Sequence, residues 1–341
     1  MKIEGVLVDL TRLLSVKALA KDLLRRGQRL DSVICNAGVA GWKGVNYVKG
    51  VVDIAKNTVL ATSQPTYMYS GIGLIAKPQL ERRSEEEPKL AEVFLANVLG
   101  HYMLVHWLAP LLTDDSRVIW LSSVSAKPEV FNPDDIQGLQ SPVAYESSKR
   151  LTELLVLTSE LPSTAPYTRT FFPTPAKPRM YLTHPGVCGT SISGINAFMA
   201  FWMVLAMYLS RLLGSPWHPV DPYKGAISAV FCALAPWEQL PELEEREGKG
   251  KWGSATDVWG DERVARTETE GWGFCGVPGK VPTGSVVGKK GAGYLVERET
   301  GKEEREKFEE DGRRVWREME ELRVEWEKRL GSVSIDAAED L

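Results

Sequence analysis

The chain has 341 residues, 43% hydrophobic and 25% charged, with 41 Lys and Arg against 45 Asp and Glu for a formal net charge of -4. Such a composition builds a sizeable core and excludes a disordered or fibrous chain, and the charge balance recommends no nucleic-acid partner. Cys35, Cys188, Cys232 and Cys275 are far apart with no CxxC pair, so neither a zinc site nor a disulfide framework is expected.

The start, MKIEGVLVDL, has too short an apolar run for a signal peptide, which points to a cytosol-facing protein. Short apolar runs then alternate with helical periods, the pattern of an α/β fold with a parallel sheet covered by helices. Strands are predicted at Gly5-Val8, Ser32-Cys35, Val118-Leu121, Met180-Thr183 and Lys251-Ala255. Helices are predicted at Ser15-Arg26, Lys89-Leu112, Ala144-Leu161, Ile195-Leu213 and Pro222-Leu234. Two turn-rich insertions, 39-87 and 129-141, fall where strands end, so both are expected to shape a substrate pocket. Residues 1-271 read as one domain, 272-296 as a Gly/Pro-rich connection and 297-341 as a charged extension. Its amphipathic helix carries apolar residues at 308, 315, 319, 322, 326 and 330.

Tyr145 and Lys149 lie four apart at the start of a predicted helix, on one face. An ammonium held beside a phenol stabilises phenolate and brings tyrosine's proton exchange closer to neutrality. Ser122 and Ser123 end the preceding strand, and Asn36-Ala37-Gly38 end the strand before it. Asn97 falls in a helix, and Pro185-Gly186-Val187-Cys188-Gly189-Thr190 follows the next strand. His101 and His106, on the same predicted helix as Asn97, read as packing residues rather than metal ligands.

This ordered set resembles the short-chain dehydrogenase/reductase family. The resemblance implies a Rossmann-like doubly wound parallel sheet and a catalytic tetrad of Asn97, Ser123, Tyr145 and Lys149. Tyr145 would be the proton donor; Lys149 would lower its pKa and hold ribose hydroxyls. Ser123 would bind the substrate carbonyl, with Ser122 an open alternative, and Asn97 would anchor a proton-relay water. Cofactor contacts are implied at Asp9 and Leu10, at Asn36, Ala37 and Gly38, at Tyr145 and Lys149, and at Pro185, Gly186 and Thr190. The family's first strand, glycine-rich TG-x-x-x-G-x-G loop and second strand are expected before Asp9, where this sequence has eight residues. A sheet lacking its first βαβ portion, with weakened hold on the cofactor pyrophosphate, is therefore expected.

A narrower resemblance rests on RVIWLSSVSAKPEVFNPDDIQG, on AYESSKRLTELL with Tyr145 following Ser123 by 22 positions, on EVFLANVLGHYMLVHWLAPLL, and on GKWGSAT. These stretches are similar to the 3-ketosteroid reductases of fungal sterol biosynthesis. That likeness implies NADPH-dependent reduction of a 3-keto sterol, at the cytosolic face of the endoplasmic reticulum or a lipid droplet. It also implies association with oxidosqualene cyclase and the C4-demethylation enzymes, which a non-catalytic scaffold would share; a short-chain reductase of another lipid carbonyl is the alternative enzyme. The 13 uninterrupted apolar residues from Ala197 to Leu209 suit a lid or an interfacial helix better than a spanning one. That run and the stripe Val315, Met319, Leu322, Trp326 are the expected partner surfaces.

Overall fold

The computed structural model describes residues 3-80, 87-190, 192, 194-285 and 300-331. Its elements in chain order are α1 (Leu13–Arg26), β1 (Ser32–Cys35), β2 (Trp42–Val45), α2 (Tyr47–Lys56), α3 (Thr58–Ser63) and β3 (Met68–Ser70). Next come α4 (Glu92–Phe94), a π turn (Leu95–Leu99) and α5 (Gly100–Trp107), then β4 (Arg117–Leu121), α6 (Ala144–Thr158), α7 (Ala165–Phe171) and β5 (Arg179–His184). The chain continues through α8 (Ala197–Leu212), α9 (Pro222–Gly225), α10 (Ile227–Leu234) and α11 (Gln239–Glu247) to β6 (Lys251–Thr256), β7 (Glu262–Thr267) and α12 (Lys302–Leu330).

The main sheet runs β1-β4-β5-β6-β7, with the first four strands parallel and β7 antiparallel. Its central strands alternate between two apolar layers, as a period of two requires. Val118, Trp120, Met180 and Leu182 join a large core with α1, α5 and α6, whereas Ile119, Tyr181 and Trp252 pack with Cys232 of α10 and Leu240 of α11. This is a Rossmann-like α/β fold.

α1 buries Leu13, Leu14, Val16 and Ala20 on one stripe. It ends where Gly27, at φ 65°, turns its N–H back to the Leu23 and Leu24 carbonyls. α12 likewise buries Phe308, Val315, Trp316, Met319, Trp326 and Leu330 in the large core. Tyr102, Glu320 and Arg323 form a buried polar seam beneath it, Tyr102 donating to Glu320 at 2.6 Å and Arg323 pairing with Glu320 at 2.8 Å.

Three expectations need correction. Residues 5-8 form no strand: Leu7 is 99% exposed and the segment has no neighbour with which to exchange ladder hydrogen bonds, because the described sheet ends at β1. The insertion 39-87 is not simply turns; it carries a second, two-stranded sheet of β2 and β3 together with α2 and α3. The stripe Val315, Met319, Leu322, Trp326 is no partner surface, since Val315, Met319 and Trp326 are wholly buried and Leu322 packs against them. The connection at 286-296 and the tail at 332-341 lie outside the described residues.

Candidate active site

The carboxyl ends of β4 and β5 open on one cleft of about 410 Å³. Ser123, Val124 and Ser125 follow β4, Gly186 to Thr190 follow β5, and Tyr145 reaches in from the first turn of α6. Trp42, Thr62, Tyr67 and Met68 form the wall supplied by the insertion, and Met203, Val204 and Met207 of α8 close the other side. Residues 129-141 contribute nothing to this wall. Asn132 and Asp135 close local turns there, Ile136 joins the large core, and Asp134 pairs with Arg314 at 2.6 Å.

Ser123 faces the cleft and shares a hydrogen bond with the Tyr145 side chain; its Oγ also lies 2.9 Å from Ser125 Oγ. Ser122 turns the other way. Its hydroxyl donates to Glu153 Oε1 at 3.0 Å, inside the domain. Trp42 packs edge-on against Tyr145 with ring centroids 5.6 Å apart.

Lys149 lies one turn after Tyr145, buried, with Nζ 5.6 Å from the phenol ring centroid and donating to the Leu121 carbonyl at 2.9 Å. Burial pulls its ammonium down to about 8. For the tyrosine, burial acts in the opposite sense to the lowering expected from Lys149. Desolvation pushes the Tyr145 phenol up to about 12, and the Ser123 hydrogen bond offsets only part of that.

Asn97 sits in the π turn, a one-residue insertion that re-aims a helix side chain and recurs at functional sites. It clamps the loop after β1: Oδ1 accepts from Val39 N at 2.7 Å, and Nδ2 donates to Val39 O at 2.9 Å and to Ser148 Oγ at 3.0 Å. Gly38 passes so close that a Cβ there would stand 2.7 Å from Asn97 Oδ1. His101, held near pKa 4 by burial, donates Nε2–H to the Ala37 carbonyl at 2.8 Å, so the Asn36-Ala37-Gly38 turn is pinned from below.

The remaining candidates lie apart from this cluster or at its rim. Asp9 Oδ1 accepts from the Thr11 backbone at 2.8 Å and its hydroxyl at 2.6 Å, an Asx turn that opens α1, and Leu10 is buried beside Gly100. Gly186, at φ 69°, has no room for a side chain, because a Cβ would meet Pro219 and the Trp217 carbonyl. Thr190 is exposed at the cleft edge. Pro185 leads into the loop behind it.

The motif reading missed a buried charge cluster directly behind the serines. Glu153, fully enclosed, pairs with Lys251 at 2.5 Å and Arg150 at 3.1 Å, and Lys251 also donates to the Ser123 carbonyl at 3.3 Å. Glu153 falls eight residues after Tyr145, two turns along one face of α6, which was the only signal in the sequence.

For a nicotinamide cofactor, the fit to the described residues is at its nicotinamide and ribose end. Lys149 spends one of its three N–H donors on Leu121, which leaves the others for ribose hydroxyls, and Gly186 to Thr190 line the cleft beside Tyr145.

No family model matches the chain. Curated relatives do: 3-keto-steroid reductase erg27 of Aspergillus fumigatus is 38% identical over 97% of this chain and 78% of its own length. ERG27 of Gibberella zeae is 37% identical over 89% and 68%, and erg27 of Schizosaccharomyces pombe 30% over 79% and 72%. Among solved structures, salutaridine reductase from Papaver somniferum covers 68% of this chain and 78% of its own at 17% identity and a TM-score of 0.35, so the fold assignment rests on the sheet order instead. On identity sustained along nearly its whole length, the chain belongs to the 3-keto-steroid reductase family.

Proposed function

We propose that this protein reduces the 3-keto group of a sterol to a 3β-alcohol in ergosterol biosynthesis, with NADPH as reductant. The observation that carries this reading is the meeting of Ser123, Tyr145 and Lys149 at the polar end of a cleft whose other walls are largely aromatic and aliphatic. Reduction adds hydride to the ketone carbon and a proton to its oxygen, and a reduced nicotinamide supplies the hydride when bound.

The chain's own residues handle the oxygen. Ser123 and Tyr145 donate hydrogen bonds to it as negative charge builds there, and Tyr145 then delivers its proton. A phenol pushed up to about 12 stays protonated at neutral pH, which is the donating form. The Lys149 ammonium beside the ring stabilises the phenolate left behind, and its unspent donors suit ribose hydroxyls. Asn97, through Val39 and Ser148, fixes the loop and helix that frame the site.

The protein is also proposed to work on a lipid surface, the endoplasmic reticulum or a lipid droplet. Support comes from α8, where Phe198, Phe201, Trp202, Leu205 and Leu212 are exposed. Among the described residues no helix is long and apolar enough to cross a membrane, so docking would be interfacial.

The test offers a 3-keto 4-demethylated sterol with NADPH or NADH to the protein and to its Tyr145→Phe variant. Formation of 3β-alcohol with NADPH, falling by about 10²- to 10⁴-fold in the variant with the fold intact, is the expected outcome. Ready turnover of a fatty or aromatic ketone instead of the sterol would overturn the substrate.

A further inference from the structure

A second cavity, of about 590 Å³, opens between α2 and α8. Its lining includes Val51, Ile54, Phe198, Trp202 and Leu205, and holds no charged or amide side chain. It is not a separate hole elsewhere on the surface. Tyr67, Ile195 and Met203 line both this groove and the active-site cleft, so three side chains are the partition between them.

Polarity falls in one direction across that partition. Ser123, Ser125, Thr62 and the Tyr145 phenol stand in the cleft, the shared wall is Tyr67, Ile195 and Met203, and beyond it every lining side chain is aliphatic or aromatic. A ligand matched to this gradient has one carbonyl, a rigid apolar body and an apolar tail. The partition is also the part best able to yield, since unbranched Met203 has three rotatable side-chain bonds. Gly50 of α2 lies against the Tyr67 ring, where a Cβ would stand at 3.4 Å, so the helix closes directly onto the shared wall.

We propose that the groove between α2 and α8 receives the aliphatic side chain of the steroid whose ketone lies at Ser123 and Tyr145, and so selects sterols over steroids without that chain. This rests on the 3-keto sterol reading above and adds where the far end of the molecule goes. The insertion 39-87 thus does more than narrow the cleft, because α2 exists to make the outer wall of a tail site.

The experiment compares two 3-ketosteroids that share a ring system, one with a C17 aliphatic side chain and one without, by equilibrium binding to the full chain. Burying even two methylenes is worth about fifteenfold in affinity, so the longer ligand should bind at least tenfold tighter. Ala55→Trp, at an exposed position lining the groove, and Leu205→Asp should each reduce that ratio toward one. A third arm photolyses the longer ketosteroid with a diazirine at the end of its side chain and maps the adducts. Labelling of Val51 or Ile54 on α2, or of Phe198, Trp202 or Leu205 on α8, competed by the untagged ligand is the expected result.

Adducts confined to the loop at 185-190 or to Ser123-Ser125, or an unchanged affinity ratio in both variants, would overturn the tail site while leaving the ketone reading in place. Groove labelling that excess phospholipid removes but the untagged ketosteroid does not would assign the groove to a bilayer chain and overturn it too. Absence of binding by either ketosteroid would bring down the substrate reading itself.

Discussion

At the residue scale, two side chains in the active-site region hold charge where water is scarce, and each gives a measurable consequence. Lys149 has a folded pKa of about 8 against an ordinary 10.5, because burial disfavours its ammonium. Below pH 8 the folded state carries that penalty in full. Between pH 8 and 10.5 the unfolded chain holds a proton that the native one has lost, so this residue's contribution to stability rises with pH. Relative to Lys149→Met, the protein should gain about 3 kcal/mol across that window, read by urea unfolding at a series of pH values. A flat difference would mean that the ammonium is better solvated than its surroundings imply. Glu153 is fully enclosed and ion-paired with both Lys251 and Arg150. Lys251→Met would leave the carboxylate short of its 2.5 Å partner and release the Ser123 carbonyl, and should cost about 3 to 5 kcal/mol in denaturant unfolding. Replacing all three, Glu153→Leu with Lys251→Met and Arg150→Met, should recover part of that loss, because the desolvation of the whole cluster disappears with it.

At the element scale, what was legible in the sequence is what periodicity and end signals encode. The strands around Val118, Met180 and Lys251 form within a residue of their predicted bounds, the first two because their centres are short apolar runs flanked by turn formers. The strand predicted at Gly5-Val8 has the same local pattern and does not form, since a strand is completed by its neighbour and not by its own residues. The Tyr145 and Lys149 pair was readable from spacing, whereas the orientation of Ser123 against Ser122 depends on the pleat at the end of β4 and on Glu153 behind it. The π turn that aims Asn97 was invisible, because one inserted residue barely disturbs an apolar pattern over sixteen. α12 shows the opposite case. Its apolar stripe was plain, but only packing reveals that Trp316 is fully enclosed and donates Nε1–H to the Leu155 carbonyl at 3.0 Å. Trp316→Ala should therefore cost about 3 to 5 kcal/mol, with a matching fall in Tm, where an external helix would lose almost nothing.

At the scale of the whole molecule, the exposed apolar residues concentrate on the side where α2 and α8 flank the groove. Val48 and Val51 on α2 are 78% and 68% exposed, and Phe201, Leu205 and Leu212 on α8 are 63%, 49% and 64% exposed. Lys49 and Asp53 on the same part of α2 are ion-paired with each other at 2.5 Å, which leaves Lys56 at the end of α2 and Arg211 at the end of α8 as the other charges of the two helices. A broad apolar face with two such charges at its edge should enter neutral membranes chiefly by burial and depend little on attraction to anionic ones. The protein is accordingly expected to float with phosphatidylcholine vesicles and to remain bound in about 0.5 M salt, where the Debye length has shrunk to a few ångströms. Each large side chain already half out of water gains about 1 kcal/mol on insertion, so Phe201→Ser, Leu205→Ser and Leu212→Ser together should weaken the partition by roughly a hundredfold. Binding that vanishes in salt would assign the attraction to charge. No flotation at either ionic strength would mean that sterols reach the cleft from water or from a carrier, and the exposed face would then have to be covered by another protein.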